Sequence, residues 1–225
     1  MTVSRKVIAC ATVIEEVLPL LPGDMTYEVF DFGLHLTPER LRSKLQGAID
    51  AASAEVDTII LGYGLCSMAA VGLKATRCTL VIPRVDDCIA IFLGSHQAYL
   101  EQFSQEPGTY YLTKGWIEVS DTPFAEYERL AEKYGPKRAE RMIKLMLKNY
   151  TRLAFIDTGH YEQERYRAYA RSTAARFELR YEEIPGSKAL VEKMLYGPWD
   201  GDFVIARPGE TISYADFRPT ASETD

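Results

Sequence analysis

The sequence predicts an α/β fold, a largely parallel sheet or pair of sheets flanked by helices, and three observations carry that reading. Short apolar runs alternate with amphipathic helical patterns along the chain, the sequence form of strands joined by helical crossovers. Thr58–Leu61 and Thr79–Ile82 are apolar without alternation, as strands covered on both faces are. The second half also echoes the strand–helix rhythm of the first. The expected division is an N-terminal half over residues 1–120, a helical connection over 121–150 and a C-terminal half over 151–225. These are either two Rossmann-like halves or one compact domain.

The elements follow in order. Lys6–Ala11 reads as the first strand, Val13–Leu21 as a short helix stopped by Pro22-Gly23, and Thr26–Phe30 as the second strand. Thr37-Pro38-Glu39 supplies an N-cap, a proline at the first helical position and an acidic first turn. Leu41, Leu45, Ala48, Ile49 and Ala52 then line one helical face. After the two buried strands, Ile89–Phe103 reads as one helix and Gly108–Leu112 as an aromatic strand. Pro123 to Asn149 reads as two helices broken at Gly135-Pro136 that link the halves. Leu153–Ile156 and Glu178–Ile184 are strands around the charged helix Glu162–Phe177. Ser187–Leu195 is a last helix, Phe203–Ala206 and Pro208–Ile212 finish the fold, and the tail from Pro219 frays.

Composition narrows the classes of function. The chain has 225 residues, 47% hydrophobic and 26% charged, with a formal net charge of -6. That is an ordinary globular balance, and it argues against nucleic acid as the main partner while leaving room for a local basic patch. Glu15 and Glu16 interrupt the apolar start that would otherwise resemble a signal peptide. Thr58 to Leu73 contains three glycines and is too short to span a bilayer. Cys10, Cys66, Cys78 and Cys88 lack the close pairing of a secreted disulfide framework, and they fit reduced thiols in a cytoplasm.

The unusual chemistry lies at strand ends. Cys10 ends the first strand, Cys66 follows Gly62-Tyr63-Gly64-Leu65, and Cys88 follows Pro83-Arg84-Val85-Asp86-Asp87. In an open parallel sheet these loops share one edge, where ligands bind. Three thiolates meeting there would hold zinc or an iron–sulfur cluster. Against this stands the packing role of cysteine as a small buried apolar side chain. Asp86 or Asp87 would serve as metal ligand or general base, with one of them capping the next helix instead, and Arg84 would hold a carboxylate or phosphate. Gly62, Tyr63 and Gly64 do not complete a dinucleotide fingerprint, so their loop is read as a close backbone approach to a ligand or a plain turn. Asp157-Thr158-Gly159-His160-Tyr161 is the second-half segment expected to face the site. His35 and His160 sit in strand-end loops, where packing or capping is the more ordinary role.

The residues Ala9-Cys10, Gly62-Tyr63-Gly64-Leu65-Cys66, Pro83 to Ile89, Phe92-Leu93-Gly94-Ser95, Pro107 to Trp116 and Asp157-Thr158-Gly159 together resemble the family catalogued as domain of unknown function 1638. The resemblance covers nearly the whole chain. It brings no assigned activity, and it implies an association with corrinoid-dependent methyl transfer from methylamines or betaines. It also implies that position 86 takes His in some relatives, which favours Asp87 over Asp86 as the catalytic acid or base. The first expectation is therefore a metal-dependent methyltransferase or accessory protein of one-carbon metabolism, with Cys10, Cys66 and Cys88 on the metal, Asp87 and Arg84 catalytic, and Gly62, Tyr63, Gly64 and Asp157 on a cofactor. The alternatives are a non-catalytic binding module for a small anion, a cofactor or a corrinoid protein, and a structural subunit with inert cysteines.

Overall fold

The structure is a computed structural model describing residues 4–119, 122–159 and 162–218. Two compact units are present, one built by residues up to Ala98 together with those from Ser187 onward, the other by Tyr99–Gly186.

The first unit opens with β1 (Arg5–Cys10), α1 (Ala11–Val17), a 3-10 turn, β2 (Thr26–Phe30), a second 3-10 turn over Phe32–Leu36, and α2 (Pro38–Ala52). β3 (Thr58–Gly62), β4 (Thr79–Pro83) and α3 (Cys88–Leu93) follow. α4 (His96–Gln105) carries the chain into the second unit, made of β5 (Thr109–Leu112), α5 (Lys114–Val119), α6 (Pro123–Tyr134), α7 (Pro136–Met146), β6 (Arg152–Asp157), α8 (Gln163–Arg176) and β7 (Arg180–Pro185). The chain then returns to the first unit as α9 (Ala189–Tyr196) and β8 (Phe203–Ala206).

The first sheet has the order β2-β1-β3-β4-β8. Its first four strands are parallel and β8 closes the edge antiparallel to β4. Val7, Ile8 and Ala9 of β1, Ile59, Ile60 and Leu61 of β3, and Leu80, Val81 and Ile82 of β4 are all fully buried. Helices covering both faces therefore explain why these strands are apolar at every position. Each large side chain among them contributes roughly 1.5–3 kcal/mol by leaving water. The five α2 residues read as its apolar face are its buried ones. Asp57 caps this arrangement at the start of β3, accepting from the Ser4 amide at 2.8 Å.

The second sheet is parallel, in the order β5-β6-β7. Its core joins Leu112, Leu153 and Phe155 from the strands to Phe124, Tyr127, Leu130, Ala139 and Ile143 from α6 and α7, and to Tyr166 and Ala170 from α8. Arg152, at the start of β6, is buried and satisfied by Thr109 at 2.7 Å, Gln102 at 2.9 Å and Glu182 at 3.1 Å.

Several expectations are corrected. The helix predicted over Ile89–Phe103 is two, because Gly94 adopts φ +87° and ends α3 in a left-handed cap. A side chain there would meet Ser187 at 2.5 Å. Thr37 precedes α2 without a side-chain capping bond, Lys114–Val119 is an unanticipated helix, and Pro208–Ile212 yields only a single bridge, Lys74 to Thr211. α6 and α7 are not a connection between halves: their apolar faces complete the second unit's core. Residues from Ser187 onward belong to the first unit, because β8 finds its pairing partner in β4. The tail from Pro219 and the residues His160 and Tyr161 lie outside the described residues. Among the described residues, no helix is long and apolar enough to cross a membrane.

Phe155 is fully buried in the second core. Phe155→Ala should lower unfolding free energy by about 3–5 kcal/mol in urea titration, through lost burial and the cavity left behind. A loss below about 1 kcal/mol would show that the ring is not closely packed.

Candidate functional site

β1 pairs with β2 on one side and β3 on the other, so the connection from β1 to β2 and the one from β2 to β3 run in opposite directions along the sheet. This is a topological switch point, and the crevice it opens lies beyond the C-terminal ends of β1 and β3. Cys10 is the last residue of β1 and Gly62, paired with Ala9, the last of β3. The loop running on from Gly62 carries Tyr63, Gly64 and Cys66.

Two strand-end loops are locked together by their backbones. The Leu65 amide donates to the Val85 carbonyl at 2.8 Å, and the Cys66 amide to the Asp86 carbonyl at 3.0 Å. Gly64 is required by this closeness, since a Cβ would lie 2.6 Å from the Val85 carbonyl oxygen. The chain then passes through three successive left-handed residues, Cys66 at φ +45°, Ser67 at +55° and Met68 at +72°. Left-handed backbone costs a residue with a side chain roughly 1–2 kcal/mol. Ser67 and Met68 line an open cavity of about 430 Å³ together with Leu36, Thr37 and Arg42.

Behind the loops is a group of buried and half-buried ionisable side chains, each held in its neutral form. Burial pushes the Cys66 thiol up to about 12, against the Gly64 amide that donates to its sulfur at 3.3 Å, with further upward pressure from Cys10 and Asp87. Burial likewise raises Cys10, opposed by the Thr12 hydroxyl that donates to its sulfur at 3.3 Å. Tyr63 is raised far above the usual phenol range, by burial first and then by Cys10 and Cys66. Its hydroxyl is buried without a hydrogen-bond partner among the described residues. The ring of His35 lies 6.0 Å from that of Tyr63 and 5.1 Å from that of Phe32, stacked on both. Burial lowers the His35 pKa, and its Nδ1 sits 3.0 Å from the Phe32 carbonyl. At neutral pH these are a phenol, two thiols and an uncharged imidazole.

The remaining predicted residues take different places. Asp87 is the cap of α3, accepting from the Ile89 amide at 2.8 Å. Burial raises its pKa, against that bond and with Asp86 adding to the rise. Asp86 is turned to His96 Nε2 at 3.3 Å. Arg84 is committed to the β8 side, its amide donating to the Asp202 carbonyl at 2.7 Å and its guanidinium to the Phe203 carbonyl at 3.5 Å. Cys88 is buried as the first residue of α3, and Cys78 is buried before β4. Asp157 ends β6 in the second unit, where Arg167 pairs with it and the Gly159 amide donates to it at 2.9 Å.

The donor set does not fit the expected zinc or iron–sulfur centre. Such a site needs three or four converging deprotonated ligands. Among the described residues, no group of three His, Cys, Asp or Glu side chains stands placed to hold a metal ion. Ionising Cys10 would oppose ionisation of Cys66, and both sulfurs already accept from neighbouring donors. Sequence reasoning understated His35, whose partner Tyr63 is 28 residues away in the sequence and becomes a neighbour only through the β1–β3 pairing.

A raised Asp87 pKa means that the folded state holds the carboxyl proton more tightly than the unfolded chain. Its stabilising effect is full below its ordinary value of 3.8 and is lost as pH rises through the raised one. Asp87→Asn keeps a capping acceptor without the charge. Its stability relative to wild type should therefore increase as pH rises from the carboxyl's ordinary value of 3.8 through the raised one in urea unfolding, and an unchanged difference would contradict the burial cost. Native Cys66 should resist iodoacetamide near neutral pH while the unfolded chain labels at all four cysteines. Equal labelling rates by mass spectrometry would rule out a buried neutral thiol.

Residues 29–195 match the family described as "Protein of unknown function (DUF1638)". No curated protein and no solved structure matches the chain. The matched stretch contains the Tyr63–Cys66 loop, the Arg84–Cys88 segment and Asp157, and it covers well over half of the sequence. The chain belongs to the DUF1638 family.

Proposed function

We propose that the first unit is a small-molecule-binding module of one-carbon metabolism, with its ligand seated beyond the ends of β1 and β3 and hydrogen-bonded to the Tyr63 hydroxyl. The observation that carries this reading is that hydroxyl, buried at the switch point of the sheet without a partner among the described residues. An unmade hydrogen bond in the interior costs about 1–3 kcal/mol, which a ligand's polar atom would offset. The left-handed run Cys66–Met68 is a second cost at the same place, and such strain gathers at ligand sites.

The neutral state of the side chains sets the chemistry. Cys66, Cys10 and Tyr63 would meet a ligand as protonated donors, and His35 as an uncharged ring. This favours recognition of a polar, weakly charged group over attack by a thiolate. The reading is therefore a binding module first. The association with corrinoid-dependent methyl transfer nominates methylamines and betaines as the ligands to try, and a methyltransferase or corrinoid protein as the partner served.

Calorimetric titration of the full chain with trimethylamine and with glycine betaine tests the reading, alongside Tyr63→Phe. Wild type should bind one of the two saturably, and the variant should bind roughly tenfold more weakly, the loss expected for one buried hydrogen bond. Free Tyr63→Phe should be more stable than wild type by about 1–3 kcal/mol, because an unsatisfied group has been removed. A destabilised variant with unchanged affinity would sink the role of Tyr63. Absence of heat with both metabolites would remove the one-carbon class.

A further inference from the structure

Besides the cavity lined by Ser67 and Met68, the same unit carries a second one that meets it at Thr37 and differs in chemistry. It has a volume of about 400 Å³ and opens between the end of β2 and the first turns of α2, with Phe30, Asp31, Thr37, Arg40 and Lys44 in its wall. Arg40 and Lys44 stand four residues apart on α2, so their charges lie on one helix face and repel. Neither side chain forms an ion pair or hydrogen bond with any described residue. This is unlike Arg152, Arg167 and Arg180 of the other unit, which are each paired with a glutamate.

The one acid in the wall pairs with neither cation among the described residues: Asp31 accepts from the Gly33 amide at 2.7 Å in the turn that follows β2. Thr37 has no side-chain capping bond to α2, which leaves its hydroxyl available beside the two cations. We propose that this cavity is a binding site for a small anion carrying a phosphate or carboxylate group. The Arg40 guanidinium would take two of its oxygens, with Lys44 as a point charge and Thr37 as a neutral donor. A planar fork and a compact ammonium divide the work in that way because they differ in geometry and hydration. Occupancy would also relieve the repulsion between the two cations. The site is separate from the Tyr63 crevice and stands or falls independently of it.

Calorimetry at fixed ionic strength, with inorganic pyrophosphate and with succinate as probes, tests the assignment on the full chain. Wild type should bind at least one probe saturably, and the preferred probe decides between phosphate and carboxylate. The double variant Arg40→Gln/Lys44→Gln should bind it roughly tenfold or more weakly, since two charge-assisted contacts are lost. The control Arg138→Gln/Arg141→Gln removes the same charge from α7 in the other unit and should bind as wild type does. Equal weakening in both double variants would reduce the effect to general charge. That result, or the absence of saturable binding by wild type, overturns the proposal. Because both α2 side chains are exposed, the variants should fold, and unchanged urea midpoints establish that they have.

Discussion

The position of β1 between β2 and β3 is the constraint on which the first unit's chemistry depends. The order β2-β1-β3 reverses the winding: the chain steps from β1 to β2 on one side and then crosses back past β1 to β3 on the other, so neither crossover fills the gap between β1 and β3. Cys10 stands at the end of β1 and the Tyr63–Met68 loop at the end of β3, so both are placed at that gap by pairing alone. β4 adds the second wall. Its strand-end loop offers the carbonyls of Val85 and Asp86 to the amides of Leu65 and Cys66, and the two loops behave as one rigid rim.

Rigidity at that rim is obtained at a local cost. Three consecutive side-chain-bearing residues occupy the left-handed region, a conformation that persists only where surrounding bonds over-determine it. The Leu65 and Cys66 amide bonds and the return bond from the Ala69 amide to the Cys66 carbonyl at 3.1 Å provide that determination. Burial then governs the electrostatics. Removing Cys10, Tyr63, Cys66 and His35 from water disfavours every charged form, and the residual hydrogen bonds to the sulfurs only partly oppose it. A site of this kind discriminates by hydrogen-bond direction and shape, whereas α2 presents open cationic charge a short way along the same edge.

The second unit follows a simpler rule. Its strands run in the sequential order β5-β6-β7, which opens no switch point among the described strands. Its polar groups are largely engaged with one another: Arg152 is held by three partners, Arg167 joins Asp157 to Glu183, and Arg180 joins Glu106 to Glu182. Asp157, attractive from its place at a strand end, is thereby an organising acid of its own unit.

What the sequence determined by itself was local. The strands β3 and β4 and the buried face of α2 were legible because a doubly covered strand must be apolar throughout, and an amphipathic helix must repeat every three to four residues, while the half-exposed β2 was legible from its alternation. The capping role of an aspartate before Cys88 was legible for the same reason. Tertiary structure decided everything that depends on which strands are neighbours. It sent the segment from Ser187 back to β4, gave α6 and α7 to the second core, and stacked His35 on Tyr63. It also denied the cysteines a common three-ligand arrangement among the described residues, although Cys10, Cys66 and Cys88 follow or end strands of one sheet. Chain periodicity specifies which face of an element is buried, but pairing energy summed over the whole sheet chooses its neighbours, and no window of sequence contains that sum.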